Sequence, residues 1–178
     1  MATTIDNFMT KALDKQFARD FLFRVTNITI VGTTLTGPDD LIYARSAALP
    51  GRAIENKIAN YSGQQFNVPG KSTYTNSESY SIEFYHDEKI DLRKKLEKAS
   101  RAVFNNEDPM GGDFRLPGKG DIITLSVLDR SFKETTKIEL VGASIRDIGA
   151  ITHNIADGTG DILTFPVTFS YHYYKNIK

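Results

Sequence analysis

Residues 47–87, AALPGRAIENKIANYSGQQFNVPGKSTYTNSESYSIEFYHD, decide how the rest of the chain is interpreted. Two Pro-Gly pairs, in Leu49-Pro50-Gly51 and Val68-Pro69-Gly70, enclose two runs of strand-like residues that meet at Ser62-Gly63. Proline restricts φ and the following glycine accepts positive φ, so each pair can turn the chain sharply. The pattern predicts a β-hairpin whose strands enter and leave at the Pro-Gly pairs.

The predicted hairpin is mostly polar. Ile58, Tyr61, Phe66 and Val68 are its apolar minority among amide and charged side chains. Such a ribbon cannot lie wholly inside the core of one subunit, and a two-stranded ribbon is marginally stable alone in water. If the subunit offers no sheet beside it, a neighbouring molecule must supply one.

Composition predicts one globular domain, residues 1–178, because 40% of the residues are hydrophobic and 25% are charged. Lysine plus arginine and aspartate plus glutamate both number 22, so no net positive field attracts nucleic acid or an anionic membrane. Cysteine is absent, which excludes disulfides and thiolate chemistry. Without a long apolar run or the apolar core of a signal peptide, we expect a soluble protein with no membrane anchor.

The N-terminal segment, residues 1–18, is predicted to form a short amphipathic helix or arm. Its apolar residues share one helical stripe: Ile5, Phe8, Met9, Ala12, Leu13 and Phe17. This helix would pack either on its own subunit or on the next one as an arm.

Strands are predicted for residues 21–31, 41–48 and 79–86, the last by its alternation of Tyr80, Ile82 and Phe84 with polar residues. Residues 32–40 are expected to form a turn region because they contain Gly32 and a Gly-Pro-Asp sequence.

The main helix is predicted over residues 88–104. Its apolar stripe is Leu92, Leu96, Ala99 and Val103. Its outer face carries Arg93, Lys94, Lys95 and Lys98. A basic run of this kind is either a solvated face or a surface for an acidic partner.

After the helix, residues 105–120 contain four glycines and two prolines and predict a long loop. A second hairpin is predicted from strands 121–128 and 134–141, followed by an irregular segment, 142–149. A turn is expected at 157–161.

The final segment, residues 162–174, is predicted to be one strand with a single buried face: Leu163, Phe165, Val167, Phe169, Tyr171 and Tyr173. Pro166 on the opposite face lacks an N–H group and indicates an edge strand or a bulge.

These elements predict a mainly β fold with one main α-helix. No strand–helix–strand alternation is present, so the sheets should be antiparallel. We expect two packed antiparallel sheets or a partly open barrel, with the helix against one side.

Motifs for chemistry are missing from the sequence. Gly70-Lys71-Ser72-Thr73 resembles the end of a phosphate-binding loop but lacks the required glycine, since Gln65 stands in its place. His86, His153 and His172 are far apart and match no metal-ligand spacing. No Gly-x-Ser-x-Gly sequence or tuned carboxylate pair is evident. We therefore predict no catalytic, cofactor-binding or metal-binding residues, and a protein that is not an enzyme.

Several segments in order resemble one family. They are Phe17-Ala18-Arg19, Ala48-Leu49-Pro50-Gly51, Asn67-Val68-Pro69-Gly70 with Thr73-Tyr74, Tyr85-His86-Asp87-Glu88, Leu140-Val141-Gly142, and Leu163-Thr164-Phe165-Pro166-Val167-Thr168-Phe169. Together they resemble the tail tube proteins of contractile-tailed bacteriophages, which are related to the tubes of type VI secretion.

The resemblance implies a structural virion protein whose hexameric rings stack into the inner tube of a contractile tail. It implies a tube inside a sheath, in contact with baseplate and tail terminator proteins, with tape measure protein and DNA in the lumen and no sequence-specific binding. It also implies assembly in the host cytoplasm and a final location in the virion tail. The alternative is a tube subunit of a phage-derived injection or secretion system.

Two sets of residues become hypotheses for subunit and partner contacts. Leu49-Pro50-Gly51 and Val68-Pro69-Gly70 would orient the hairpin, and Ile58 and Phe66 would anchor it between subunits. The residues that would face the sheath are Arg93, Lys94, Lys95 and Lys98. The 105–120 loop would take part in contacts between rings or with the sheath.

Two other classes stay open at this point. A carbohydrate-binding β-sandwich would use exposed aromatic residues on loops, whereas most aromatic residues here follow strand periodicity. A hydrolase would need a convergent catalytic set, which the sequence does not show.

Overall fold

The structure is a computed structural model that describes residues 5, 9–10, 19–36, 41, 43–105, 107, 116–153 and 160–177. Eleven strands and one helix have defined bounds within these residues. They are β1 Phe23–Ile30, β2 Thr33–Thr36, β3 Ala44–Ala47, β4 Gly51–Tyr61, β5 Gln64–Thr75, β6 Tyr80–Tyr85, α1 Asp91–Val103, β7 Ile122–Leu128, β8 Glu134–Val141, β9 Ser144–Ile148, β10 Thr164–Ser170 and β11 Tyr173–Ile177.

The strands form two main sheets that share one core. One sheet has five strands in the order β11-β8-β7-β1-β2, and the other has four in the order β3-β6-β10-β9. All pairings are antiparallel. The β4–β5 hairpin forms a separate two-stranded sheet. The predicted mainly β fold with packed antiparallel sheets is confirmed, and within the described residues no sheet closes into a barrel.

The core follows from the period-two pattern of β6 and β10. Their inward side chains are fully or almost fully buried: Tyr80, Ile82 and Phe84 in β6, and Phe165, Val167 and Phe169 in β10. The Phe84 and Phe165 rings lie 5.9 Å apart at their centroids. Residues of β1, β7 and β8 cover them from the other sheet, and the core residues form one cluster. The strands therefore bury their apolar faces by stacking two sheets.

The helix α1 is confirmed but shorter than predicted. Its buried residues are Leu92, Leu96 and Ala99. The start is set by Ile90, which is left-handed at φ 61°, and by the Asp87 carboxylate, which accepts the Asp91 N–H at 2.8 Å. An acidic acceptor at a helix N-terminus satisfies a free N–H group and complements the helix dipole.

Two segments predicted as irregular are strands. Residues 33–36 form β2, which pairs with β1 across a two-residue turn at Val31 and Gly32, both with positive φ. Such turns match the twist of paired strands. Residues 144–148 form β9, which pairs with β10. Both strands are short, and pairing with a longer strand keeps them extended, so local composition did not reveal them.

The last predicted strand is two strands that belong to different sheets. β10 ends at Ser170, and β11 pairs with β8 in the five-stranded sheet. Tyr171 is buried, but Tyr173 is exposed, which contradicts the single buried face. At the crossing, Gly142 has φ 72°, and a Cβ there would overlap the His172 ring. A glycine is therefore required where the chain passes between sheets.

Pro166 is not in an edge strand, because β10 lies between β6 and β9. Its carbonyl accepts the Gly149 N–H at 2.8 Å, one residue after β9 ends. In an antiparallel pair, the N–H and carbonyl of one residue point to the same neighbour. The side of Pro166 that lacks an N–H group thus faces the end of β9, where the strand pairing stops and no further hydrogen bond between the strands is lost.

Three predictions lie mostly outside the described residues. The helix or arm at 1–18 is described only at Ile5, Met9 and Thr10, which are helical and exposed. The 105–120 loop is described at 105, 107 and 116–120, and the 157–161 turn only at 160 and 161.

The second predicted hairpin is confirmed as β7 and β8.

Candidate functional site

The β4–β5 hairpin receives almost no support from the other described parts of the subunit. Its strands have 11 and 12 residues, and nearly every side chain is exposed. In the part of the chain that the structure describes, β4 and β5 pair only with each other. Two strand edges of this length therefore leave their outer backbone groups open to another chain.

The tip of the hairpin is the predicted turn. Ser62 and Gly63 both have positive φ, 50° and 78°. This is the conformation of a tight two-residue hairpin turn. The turn prediction is confirmed, and the first Pro-Gly pair indeed stands at the start of β4.

The second Pro-Gly pair does not end the hairpin, contrary to the prediction, because β5 continues through it to Thr75. The register shifts there: Asn56 is opposite Pro69 and Ile54 is opposite Ser72. A Cβ on Gly70 would lie 2.9 Å from the Glu55 carbonyl oxygen, so only glycine fits this close approach. The pair forms a bulge inside the strand, which bends the ribbon without ending it.

The register gives the ribbon two distinct faces. The first, called here the phenyl face, carries Phe66 opposite Ala59 and Val68 opposite Lys57. The second, the amide face, carries Ile58 opposite Asn67. Ile58 is 62% exposed and Phe66 is 48% exposed. The two predicted anchors therefore lie on opposite faces, because successive side chains alternate along a strand.

The amide face carries no charged side chain between Ile54 and the tip, and Arg52, opposite Tyr74, lies at its base. Besides Ile54 and Ile58, it holds Asn56, Asn60, Gln65, Asn67, Pro69 and Ser72. The phenyl face holds the charges of the ribbon, including the Lys71 and Glu55 pair at 3.5 Å. The amide face is thus polar and uncharged from Ile54 to the tip, and the phenyl face is apolar with charged margins.

A tyrosine cluster holds the base of the hairpin. The Tyr80 hydroxyl donates to the Ala48 carbonyl at 2.6 Å, and the Tyr171 hydroxyl donates to the Thr75 carbonyl at 3.2 Å. The Tyr80 and Tyr171 rings meet edge to face at 5.8 Å, and Tyr74 adds a further ring. The segment that leads into β4 and the last residue of β5 are therefore tied to the core at one point.

The sequence did not reveal this cluster. Tyr80 and Tyr171 were assigned only to buried strand faces, and their hydroxyl partners lie 32 and 96 residues away. The signal that could have revealed the cluster was a tyrosine on a predicted buried face, because a buried tyrosine hydroxyl needs a hydrogen-bond partner.

We expect Tyr80→Phe to lower the free energy of unfolding by about 1 kcal/mol at neutral pH, because one buried hydrogen bond is lost. Burial raises the pKa of the Tyr80 hydroxyl, so the folded chain binds this proton more tightly than the unfolded chain. The stability that this tighter proton binding gives the folded chain is complete below about pH 10, where an unfolded tyrosine keeps its proton. It is lost as the pH rises through the raised pKa of Tyr80. Urea unfolding at pH 7 and above pH 10 measures both effects.

The control is Tyr61→Phe, because the Tyr61 side chain is exposed at the hairpin tip. It should leave stability unchanged at either pH. Equal stability of Tyr80→Phe and wild type at neutral pH would contradict the role of this hydroxyl.

The basic face of α1 is smaller than predicted. Arg93 is only 21% exposed, and its guanidinium bonds to Glu97 at 2.8 Å and to the Gly149 carbonyl at 2.7 Å. It also lies over the Phe165 ring at 5.6 Å. Arg93 therefore links the helix to the sheet beneath it and does not belong to the outer face. Lys94, Lys95 and Lys98 are exposed, and Lys95 borders a depression with Asp87 and Glu88.

The histidines are not all far apart in space. His86 and His153 lie with ring centroids 6.0 Å apart, whereas His172 packs elsewhere and meets the Pro117 carbonyl at 3.2 Å. Among the described residues, no group of three or more His, Cys, Asp or Glu side chains could hold a metal ion. Gly70-Lys71-Ser72-Thr73 lies in the extended strand β5 and forms no phosphate loop.

No helix among the residues with described structure is both long enough and apolar enough to cross a membrane. No known family model matches the chain, and no curated protein matches it.

Solved structures share the fold. A chain in the cryo-EM structure of the anti-feeding prophage cap, a tube terminating cap, has a TM-score of 0.64 at 10% identity over 91% of each chain. One in the anti-feeding prophage baseplate has a TM-score of 0.60 at 12% identity, over 87% of this chain and 91% of that chain.

A chain in the sheath-tube complex of PVC, an extracellular contractile injection system, has a TM-score of 0.58 at 13% identity over 99% of each chain. At these identities the likeness concerns the fold, and it confirms the tube-type fold that the sequence resemblance implied.

Proposed function

We propose that this chain is the subunit of the inner tube of a contractile machine, a structural role without catalysis. The more detailed form of the proposal is the one implied by the resemblance: hexameric rings stack into the tube of a bacteriophage tail, through which the genome is delivered. A tube-type fold shared with chains of contractile assemblies supports this role.

The observation that carries the proposal is the unsupported β4–β5 hairpin. A ribbon of 11 and 12 residues is marginally stable alone, and both of its faces expose apolar side chains. Association with other copies would cover these side chains and pair the open edges. Head-to-tail contacts close a ring in one direction and extend a filament in the other, so one chain can build a tube.

The charge of the chain supports a conduit. Its formal net charge is zero, and the amide face of the hairpin has no charged side chain from Ile54 to the tip, with Arg52 at its base. A basic lumen would bind phosphates by counterion release and would retard passing DNA. A neutral wall would let DNA and the tape measure protein pass without sequence-specific binding.

A second candidate is the tube of an injection system, because the structures with the same fold come from the anti-feeding prophage and PVC. In both candidates the sheath, baseplate and terminator would be the partners. A phage tail assembles in the host cytoplasm and remains in the virion. DNA-filled capsids attached to native tails would favour the phage, and headless particles would favour the injection system.

Negative-stain electron microscopy of the purified chain tests the tube itself. We expect rings or hollow filaments as the concentration rises or when a purified baseplate is added. A subunit that stays monomeric under both conditions would refute the proposal.

For the sheath, we expect Lys98→Glu to weaken binding to an assembled tube about fivefold at low salt, because it reverses an exposed charge on α1. The loss should shrink in 1 M salt, where the Debye length is about 3 Å. Co-sedimentation of sheath protein with tubes measures it.

Lys175→Glu is the matched control, since it makes the same change at an exposed residue of β11, outside both the helix and the 105–120 loop. Equal weakening by both substitutions, or a loss independent of salt, would contradict a sheath contact on this helix.

A further inference from the structure

An apolar groove opens between β1, the start of β3 and the β7–β8 turn. Its volume is about 570 Å³, and it is lined mainly by Phe21, Phe23, Val25, Leu41, Leu128 and Phe132. Phe21 and Phe132 are 65% and 66% exposed at its rim. We call it the phenylalanine groove. Exposed aromatic side chains around an apolar depression are typical of an interaction site.

The backbone at Phe132 supports a role for this rim. Phe132 has φ 58° in the β7–β8 turn, a left-handed conformation that bulky residues rarely adopt. The Asp129 carboxylate fixes the turn by accepting the N–H groups of Ser131 at 2.7 Å and Lys133 at 2.9 Å. The subunit thus holds an exposed aromatic ring in an unfavourable backbone position.

We propose that the phenylalanine groove receives the phenyl face of the hairpin of a second copy of this chain, with Phe66 and Val68 inserted. The inference rests on the proposed tube and names the contact that would propagate it. An apolar patch and a complementary pocket at different places on one molecule produce a head-to-tail contact, which closes into a ring or repeats along a filament according to the rotation between copies.

The occupant is another copy because the two surfaces match in chemistry. The phenyl face has Lys57 and Glu55 beside its apolar centre, and the groove has Arg24 and Glu134, 3.1 Å apart, at its margin. With Lys71, the phenyl face offers one acid and two bases, so Glu55 can pair with Arg24 of the partner and a lysine can pair with its Glu134.

The backbone beside the groove also suits a strand. Ala44 of β3 lines the groove, and β3 is an edge strand of the four-stranded sheet. An edge strand can accept a further strand by backbone hydrogen bonds. A docked hairpin would then satisfy its own open edge as it inserts Phe66 and Val68.

The test uses the absence of cysteine from the chain. Gln64→Cys places a thiol on the phenyl face two residues from Phe66, and Ser131→Cys places one at the rim next to Phe132. Both anchors stay intact. The two single variants are mixed at concentrations that form assemblies and treated with a flexible bismaleimide. Gln65→Cys, on the amide face, replaces Gln64→Cys in the matched control.

We expect about tenfold more covalent heterodimer from the Gln64 and Ser131 pair than from the Gln65 and Ser131 pair, because docking raises the effective concentration of the two thiols. Assemblies visible by negative stain but with equal cross-linking in both mixtures would overturn the groove contact and leave the tube intact. A lack of both assemblies and cross-links would overturn the contact together with the proposed function.

Discussion

Phe66→Asp is expected to abolish assembly while leaving the subunit folded. The Phe66 ring is half exposed on the unsupported hairpin, so the isolated subunit gains little stability from it. At a contact between copies, the substitution removes an aromatic anchor and buries a charge, which costs at least about 2 kcal/mol per contact. The critical concentration for assembly should rise more than about tenfold.

Sedimentation velocity and negative-stain microscopy measure the assembly, and thermal unfolding measures the fold. Phe66→Leu is the matched control, because it keeps an apolar side chain of similar reach and should assemble nearly as wild type does. If Phe66→Asp forms tubes of normal length at the normal concentration, the hairpin is not the assembly surface.

Phe165→Ala is expected to have the largest effect on stability. Phe165 is fully buried in the central strand β10, against Phe84, with the Arg93 guanidinium over its ring. Truncation leaves a cavity where both sheets and the helix meet, at a cost of about 3–5 kcal/mol. Because domains of this kind are stable by about 5–15 kcal/mol, a substantial part of the stability is lost. Urea unfolding of the monomer measures it.

The comparison is Ile58→Ala, which removes an aliphatic side chain that is 62% exposed on the hairpin. It should change the stability of the monomer by no more than about 0.5 kcal/mol. If Phe165→Ala costs less than about 1 kcal/mol, β10 is not the centre of the core.

Strong local patterns were sufficient for much of the fold. The alternation in β6 and β10 predicted their buried faces, and the Ser62-Gly63 turn predicted the hairpin. These signals are local because side-chain direction and turn conformation depend on a few consecutive residues. The same reasoning missed β2 and β9, which are short strands ordered by distant partners.

Pro69-Gly70 and Arg93 show where local reasoning failed near the candidate site. The Pro-Gly pair was expected to end the hairpin, but a register shift opposite Glu55 absorbs it as a bulge. Arg93 was expected on the outer face of the helix, yet the Gly149 carbonyl and the Phe165 ring draw it against the sheet. In both cases the deciding partner is distant in sequence or lies on another element of the fold.

By itself, the sequence determined that this is a mainly β domain with one main helix and with a polar hairpin that has too few apolar side chains to be buried. Those properties follow from composition and periodicity. Only the tertiary structure decided that the hairpin stands free of both sheets, that Ile58 and Phe66 lie on opposite faces, and that tyrosines hold its base. These features depend on register and on contacts between distant residues, which folding alone brings together.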